Sequence, residues 1–329
     1  MQKRAAIRIT LLLAASTLWM AYALAQGAPP PPQAPLESVT VTGVRPSQDA
    51  IDSFLFSHVT AMRVTDKVAR WSVGICPQTF GLGAKYAGYI TQRIRSIAAS
   101  VGAPVAADPS CRANIQIVFT TTPQALLDNI RQNQPTYLGY HDNSTQAARL
   151  ATVTRAIQSW YTTATGDLRG QPQIDSAHAG GITLQLPSPP PTGPGGMDGF
   201  AGGVFTLNLP SANARTVTGG RLGDGLTSSF YNVIIVAEPG KLKDFEVGTL
   251  ADYIAMLALT QPGALDACED MPTITNLLLP GCRNPVSTIT DGDLAYLRGI
   301  YKMSLAGTLQ MQRHEILYQM RKDLKPADR

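Results

Sequence analysis

The chain has 329 residues, a mean hydropathy of −0.01 and only 15% charged residues, against roughly a quarter in an average soluble domain. Its 29 Gly and 24 Pro assign a large share of it to loops. The net charge is +4, but Lys3, Arg4 and Arg8 belong to a leader-like start. Without those three, 24 bases face 23 acids, which argues against a nucleic-acid binder and against a strongly acidic substrate.

Residues 1–25 read as a secretory signal. A basic end precedes an apolar stretch from Ile9 to Met20, and Ala23-Leu24-Ala25 is a small-x-small cleavage site. Residues 26–48 form a Pro-rich tether that opens QGAPPPPQAPL. Within it, Glu37–Gly43 (ESVTVTG) is β-branched and reads as a linker or an added edge strand. The same seven residues resemble the short docking strand near the mature amino terminus of TonB-dependent outer-membrane receptors. The remainder lacks the alternating segments of about ten residues that build a membrane barrel. No segment after the leader is long and apolar enough to span a bilayer as a helix.

Residues 49–329 are expected to form a single α+β domain, a mixed sheet with flanking helices. Ile51–Arg63 predicts a helix with Ile51, Phe54, Leu55, His58, Val59 and Met62 on one stripe. Ala69–Ile75 predicts a strand ending at Cys76-Pro77. Ala84–Val101 is the clearest amphipathic helix, closed by Gly102-Ala103-Pro104. Asn114–Thr120 predicts a strand, and Pro123–Arg131 a helix with Pro in its first turn. A right-handed crossover would make the two strands of this unit parallel. Strands follow at Ala156–Thr163, Gly181–Leu186 and Val204–Leu209, with Pro187–Gly203 as a lid-like or disordered loop. Phe230–Ala237 is the most apolar run and reads as the central strand. Thr249–Thr260 is apolar almost all round and predicts a buried helix, with Thr249 as N-cap and Asp252 at N3 of a capping box. Helices at Asp291–Met303 and Leu309–Leu324 close the chain, the last with a face of Leu309, His314, Ile316, Leu317 and Met320.

The four cysteines, Cys76, Cys111, Cys268 and Cys282, all follow the leader, and an even count in an exported chain predicts two disulfides. Three connectivities are possible. Cys76–Cys111 and Cys268–Cys282 close the shortest loops and are favoured. No metal site is expected, because no C-x-x-C exists and the four His, at 58, 141, 178 and 314, lie at least 37 positions apart. His314-Glu315-Ile316-Leu317-Tyr318 begins like a zinc-protease motif but has Tyr at the second His, so His314 reads as a surface residue. Gly220–Thr227 has the glycine spacing of a phosphate loop with Leu226 in place of the Lys. No G-x-S-x-G elbow is present, no cofactor is implied, and no catalytic residue can be named.

From the Thr249 helix onward, the order LADYIAMLALTQ, Pro272–Leu277 and Ile289–Tyr301 resembles exported α-proteobacterial proteins of a family without assigned function, related to zinc-peptidase (zincin-like) folds. That resemblance implies a mixed sheet and a buried helix in the position of the zinc-binding helix. The family's acid pair on that helix is reduced here to Asp252, Asn276 is followed by Leu277 where the family has Asn-Asp, and the helix carries no His. Without His, the zinc route to an activated water is closed. The leading expectation is an exported, periplasmic or secreted, non-catalytic protein that binds another protein or cell-envelope material. The alternatives are an envelope hydrolase assembled from Asp252, His178 and a Ser or Thr, and a docking protein acting through residues 37–43.

Overall fold

The structure is a computed structural model that describes residues 46–108, 110–166, 172–175, 182–188, 203–209, 225–263, 265–283 and 286–325. The leader, nearly all of the tether with residues 37–43, His178 and most of the 187–203 and 220–227 loops lie outside these residues.

The described chain opens with α1 (Gln48–His58), capped by the Ser47 side chain accepting from the Ala50 N–H. Then come β1 (Pro77–Phe80), α2 (Ala84–Ser100), β2 (Ile115–Phe119), α3 (Pro123–Asn133), a 3₁₀ turn at Pro135–Leu138 and α4 (Ser144–Leu150). Strands β3 (Ile157–Gly166), β4 (Pro172–Ile174), β5 (Ile182–Ser188), β6 (Gly203–Leu209) and β7 (Thr227–Ala237) follow. Helices α5 (Val247–Leu259), α6 (Asp291–Lys302) and α7 (Leu309–Leu324) complete it, with a 3₁₀ turn at Ile274–Leu278 between α5 and α6.

Five strands form one mixed sheet in the order β1-β2-β7-β3-β4. β1, β2 and β7 are parallel, and β3 runs antiparallel to β7 and to β4. The α+β class is therefore as expected, β1-α2-β2 is the anticipated parallel crossover unit, and β7 is central. Among the described residues, β5 and β6 pair only with each other. Both faces of the sheet are covered, which suits the near-continuous apolar runs of β2 and β7. Ile115, Ile117, Phe119, Val233 and Ile235 face the larger core with α1, α2, α5 and α6. Val118, Ile234, Val236 and Trp160 face a smaller one with Leu126, Leu127, Ile130 and Tyr137. Cys76 pairs with Cys111 and Cys268 with Cys282, as the loop-length argument expects.

Three expectations need correction. Helix α1 stops at His58 instead of Arg63, because Val59 turns extended and bridges Pro262. Residues 69–75 are extended but form no strand. They make isolated bridges, Arg70 with Ser229 and Ile75 with Val105, while the Arg70 guanidinium donates to the Ile300 and Tyr301 carbonyls and Trp71 Nε1 to the Ala258 carbonyl. The strand begins after Cys76 instead, at the sheet edge, where Pro77 is tolerated. Finally, Thr249 does not cap α5. The helix starts earlier, with Glu246 at the N-cap and no side-chain cap bond, so Thr249 and Asp252 both lie inside it. Every residue from Thr249 to Leu259 is buried, and packing rather than a cap fixes this start. A capping box does form at α6, between Thr290 and Asp293. On α7, Ile316 and Met320 are buried as expected, but so is Gln312, which accepts from the Val68 N–H and donates to the Ser304 and Leu305 carbonyls.

Candidate functional site

A buried network of titratable and hydroxyl groups surrounds His58, at the last turn of α1. Its ring is fully buried, stacked on Phe54 at 4.0 Å and edge-on to Tyr296. Nε2 lies 3.0 Å from Thr275 Oγ1, which lies 3.0 Å from Thr273 Oγ1, which donates to Asp293 at 2.5 Å. A carboxylate only accepts, so the donations run from His58 Nε2 through Thr275 and Thr273 to Asp293. Nδ1 is then the accepting nitrogen, 3.0 Å from Ser57 Oγ and 3.6 Å from the Glu269 carboxylate. Burial pushes the imidazole down to about 4, so it is neutral near pH 7 and the Glu269 approach is no ion pair. Burial also raises the Glu269 and Asp293 carboxyls, opposed at Asp293 by Thr273, the Ile274 N–H and Thr290.

This chain of groups joins α1, the loop of the Cys268–Cys282 bridge and α6. Its chemistry is that of a lock. Ser57 has one proton to share among the Phe54 carbonyl at 2.9 Å, Nδ1 and the Glu269 carboxylate, and neither of the two grooves described below includes it.

Asp252 has a separate task. Its side chain is 2% exposed and takes a bidentate contact from Arg93 of α2, with Nε–Oδ1 at 2.5 Å and Nη2–Oδ2 at 3.0 Å. It also accepts from the Ile289 N–H at 2.9 Å. The one acid of α5 thus ties two helices and the approach to α6, and no described His or Ser is brought to it. His314 is exposed on α7, at the rim of an open groove of about 640 Å3 between α1 and α7. That groove is lined by side chains such as Phe56, Leu309, Arg313 and Leu317. No group of three His, Cys, Asp or Glu residues among the described ones is placed to hold a metal ion.

A second groove, of about 360 Å3, runs along β3. Residues from both faces of the strand line it, Gln158 and Trp160 from one and Ser159, Tyr161 and Thr163 from the other, so it follows the strand's edge. Backbone bonds fix which groups point into it. The Glu238 N–H donates to the Ala156 carbonyl, and the partner residues Ala237 and Val233 turn their own backbone bonds towards β2, at Thr120 and Asn114. The antiparallel alternation therefore directs the N–H and C=O of Ile157, Ser159 and Tyr161 away from β7. β4 covers the edge only at Ala164–Gly166, and the Asp175 N–H extends this cover to the Thr163 carbonyl. No described residue makes a backbone hydrogen bond to the edge before that point.

The opposite wall is built from Ala61–Val64, Leu138–Tyr140 and the end of α4. Gly139 has a φ of +93°, and a Cβ there would stand 2.9 Å from the Tyr161 carbonyl oxygen. Only glycine lets this wall come so close to the strand. The floor is rigid, because Ser159 Oγ bonds the Tyr161 hydroxyl, which donates to the Leu257 carbonyl of α5. Gln261 also lines the groove, and its Oε1 is buried without a hydrogen-bond partner. Neither the open edge nor this wall was anticipated from sequence; the only available signal was a polar–aromatic alternation in β3.

No family model, no curated protein and no solved structure matches the chain.

Proposed function

We propose that this is an exported, non-catalytic binding protein that takes an extended polypeptide segment along β3 as an added strand. The observation that carries the reading is the open edge at Ser159, whose N–H and C=O groups point away from β7 into a groove of about 360 Å3. Main-chain pairing supplies affinity in this mode, and the pockets beside alternate side chains supply selectivity. A periplasmic or secreted location is supported by the leader at residues 1–25 and by the two disulfides, and no helix among the described residues is long and apolar enough to cross a membrane. The resemblance to a zincin-like scaffold gains support from the buried α5 following the central β7. That helix bears no His and a single acid already held by Arg93, which fits a scaffold that binds without cleaving.

The test uses blocked hexapeptides of alternating Val and Thr, read by amide exchange. Binding should slow exchange at Ser159 and Tyr161. Ser159→Pro removes an N–H that faces the groove and leaves the ladder to β7 intact, so it should abolish binding, whereas Ser159→Ala, which loses the same Oγ bond to Tyr161 but keeps the N–H, should still bind. Binding that survives Ser159→Pro would refute strand addition. The hydrolase alternative has one observation in its favour, the relay from Ser57 through His58 to Asp293. It requires that Ser57→Ala eliminate a measurable hydrolytic activity.

A further inference from the structure

The charged groups of the β3 groove are of one sign. Its lining includes Arg63 and Arg149 and no Asp, Glu or Lys. The Arg63 guanidinium is half committed: it contacts Asp142 at 2.5 Å and lies over the Tyr140 ring, 5.7 Å from its centroid, while its side chain stays 59% exposed. Arg149, at the end of α4, is exposed and makes no ion pair among the described residues. Both line the same groove as the edge of β3.

An added strand rises about 3.3 Å per residue and sends alternate side chains to opposite faces. A segment of five or six residues spans the lined stretch from Gln158 to Thr163, and some of its side chains then come within reach of the guanidiniums. Arginine forms planar paired hydrogen bonds with carboxylates; Asp142 already competes for Arg63, whereas no described acid pairs with Arg149.

We propose that the groove selects extended segments bearing Asp or Glu side chains, with Arg149 as the principal selecting residue and Arg63 as the second. This rests on the reading of the groove as a polypeptide site and names the class of polypeptide it takes. The contacts lie at a rim open to solvent, so selection is moderate, on the order of tenfold between acidic and basic segments, and it weakens with salt.

The experiment measures fluorescence anisotropy of labelled heptapeptides with acetylated and amidated ends. They alternate Val and Thr and carry two Glu, two Gln or two Lys. Each is titrated with the full mature chain, its Arg149→Glu variant and its Arg149→Gln variant. The expected order is Glu tighter than Gln tighter than Lys, reversed by Arg149→Glu, flattened by Arg149→Gln, and compressed between 0.05 and 0.5 M NaCl. Equal binding of the three peptides, lost in Ser159→Pro, would overturn the selection and leave strand addition standing. Failure of every peptide to bind would remove the polypeptide site itself, and the selection with it.

Discussion

His58 illustrates how burial alone sets the chemistry of a residue. Its ring is sealed between Phe54 and Tyr296, and the desolvation cost of protonating it there outweighs the help of the Phe54 carbonyl. The folded-state value of about 4 lies below the unfolded 6.5. The unfolded chain therefore binds the proton first as pH falls. The stabilisation is complete above 6.5 and is lost as pH drops towards 4. Between pH 7.5 and 5 this amounts to about 2 kcal/mol. The raised Glu269 and Asp293 carboxyls act with the opposite sign, favouring the fold at low pH and losing that advantage as pH rises, so they partly offset His58. Urea unfolding at pH 7.5, 6 and 5 should show stability falling with pH, and His58→Asn should flatten that slope. An unchanged slope in the variant would assign it to other groups.

Elements with a strong period are the ones that sequence discloses. Helix α2 places Ile90, Ile94 and Ile97 on one stripe, and α7 runs over the residues its pattern predicts. The central strand β7 announces itself by an apolar run that both cores require. Residues 69–75 read as a strand, yet their backbone meets neighbours only at isolated points, Arg70 beside β7 and Ile75 beside Val105. Pairing between elements decides strand from extended chain, and it leaves no local mark. The β3 groove was illegible for the same reason: its walls come from residues 61–64, 138–140 and 149–154 and its rim from Gln261. The His58 cluster draws on positions 217 residues apart. One junction does turn on a single residue. Gly81 joins β1 to α2 at a φ of +83°, and a Cβ there would stand 2.0 Å from the Phe119 carbonyl oxygen of β2. Gly81→Ala and Gly81→Asn should each lower stability by about 3 kcal/mol or more. Asn accepts positive φ readily, so a mild effect in Gly81→Asn alone would show that strain rather than overlap governs the site.

At the scale of the molecule, two covalent clasps act on separate regions. The Cys76–Cys111 bridge closes a span of 35 residues around α2, and Cys268–Cys282 a span of 14 between α5 and α6. Chain entropy assigns them about 4 and about 3 kcal/mol. Replacing each pair by Ala should lower the urea midpoint in that order, with the double replacement additive because the clasps share no loop. A larger loss from the 268–282 pair would show that its bridge also holds Glu269 against the His58 cluster. The sheet itself has a different logic, one of time. Ile115 pairs with Val233, 118 positions later, and Phe119 with Ala237. A chain delivered from its amino end completes β1, α2 and β2 long before their partner arrives. Until β7 does, the inner edge of β2 is bare and the larger core lacks α5. Closing such a distant contact is slow. Folding is therefore gated by the last third of the chain, and the first half must be kept from pairing with strangers while it waits.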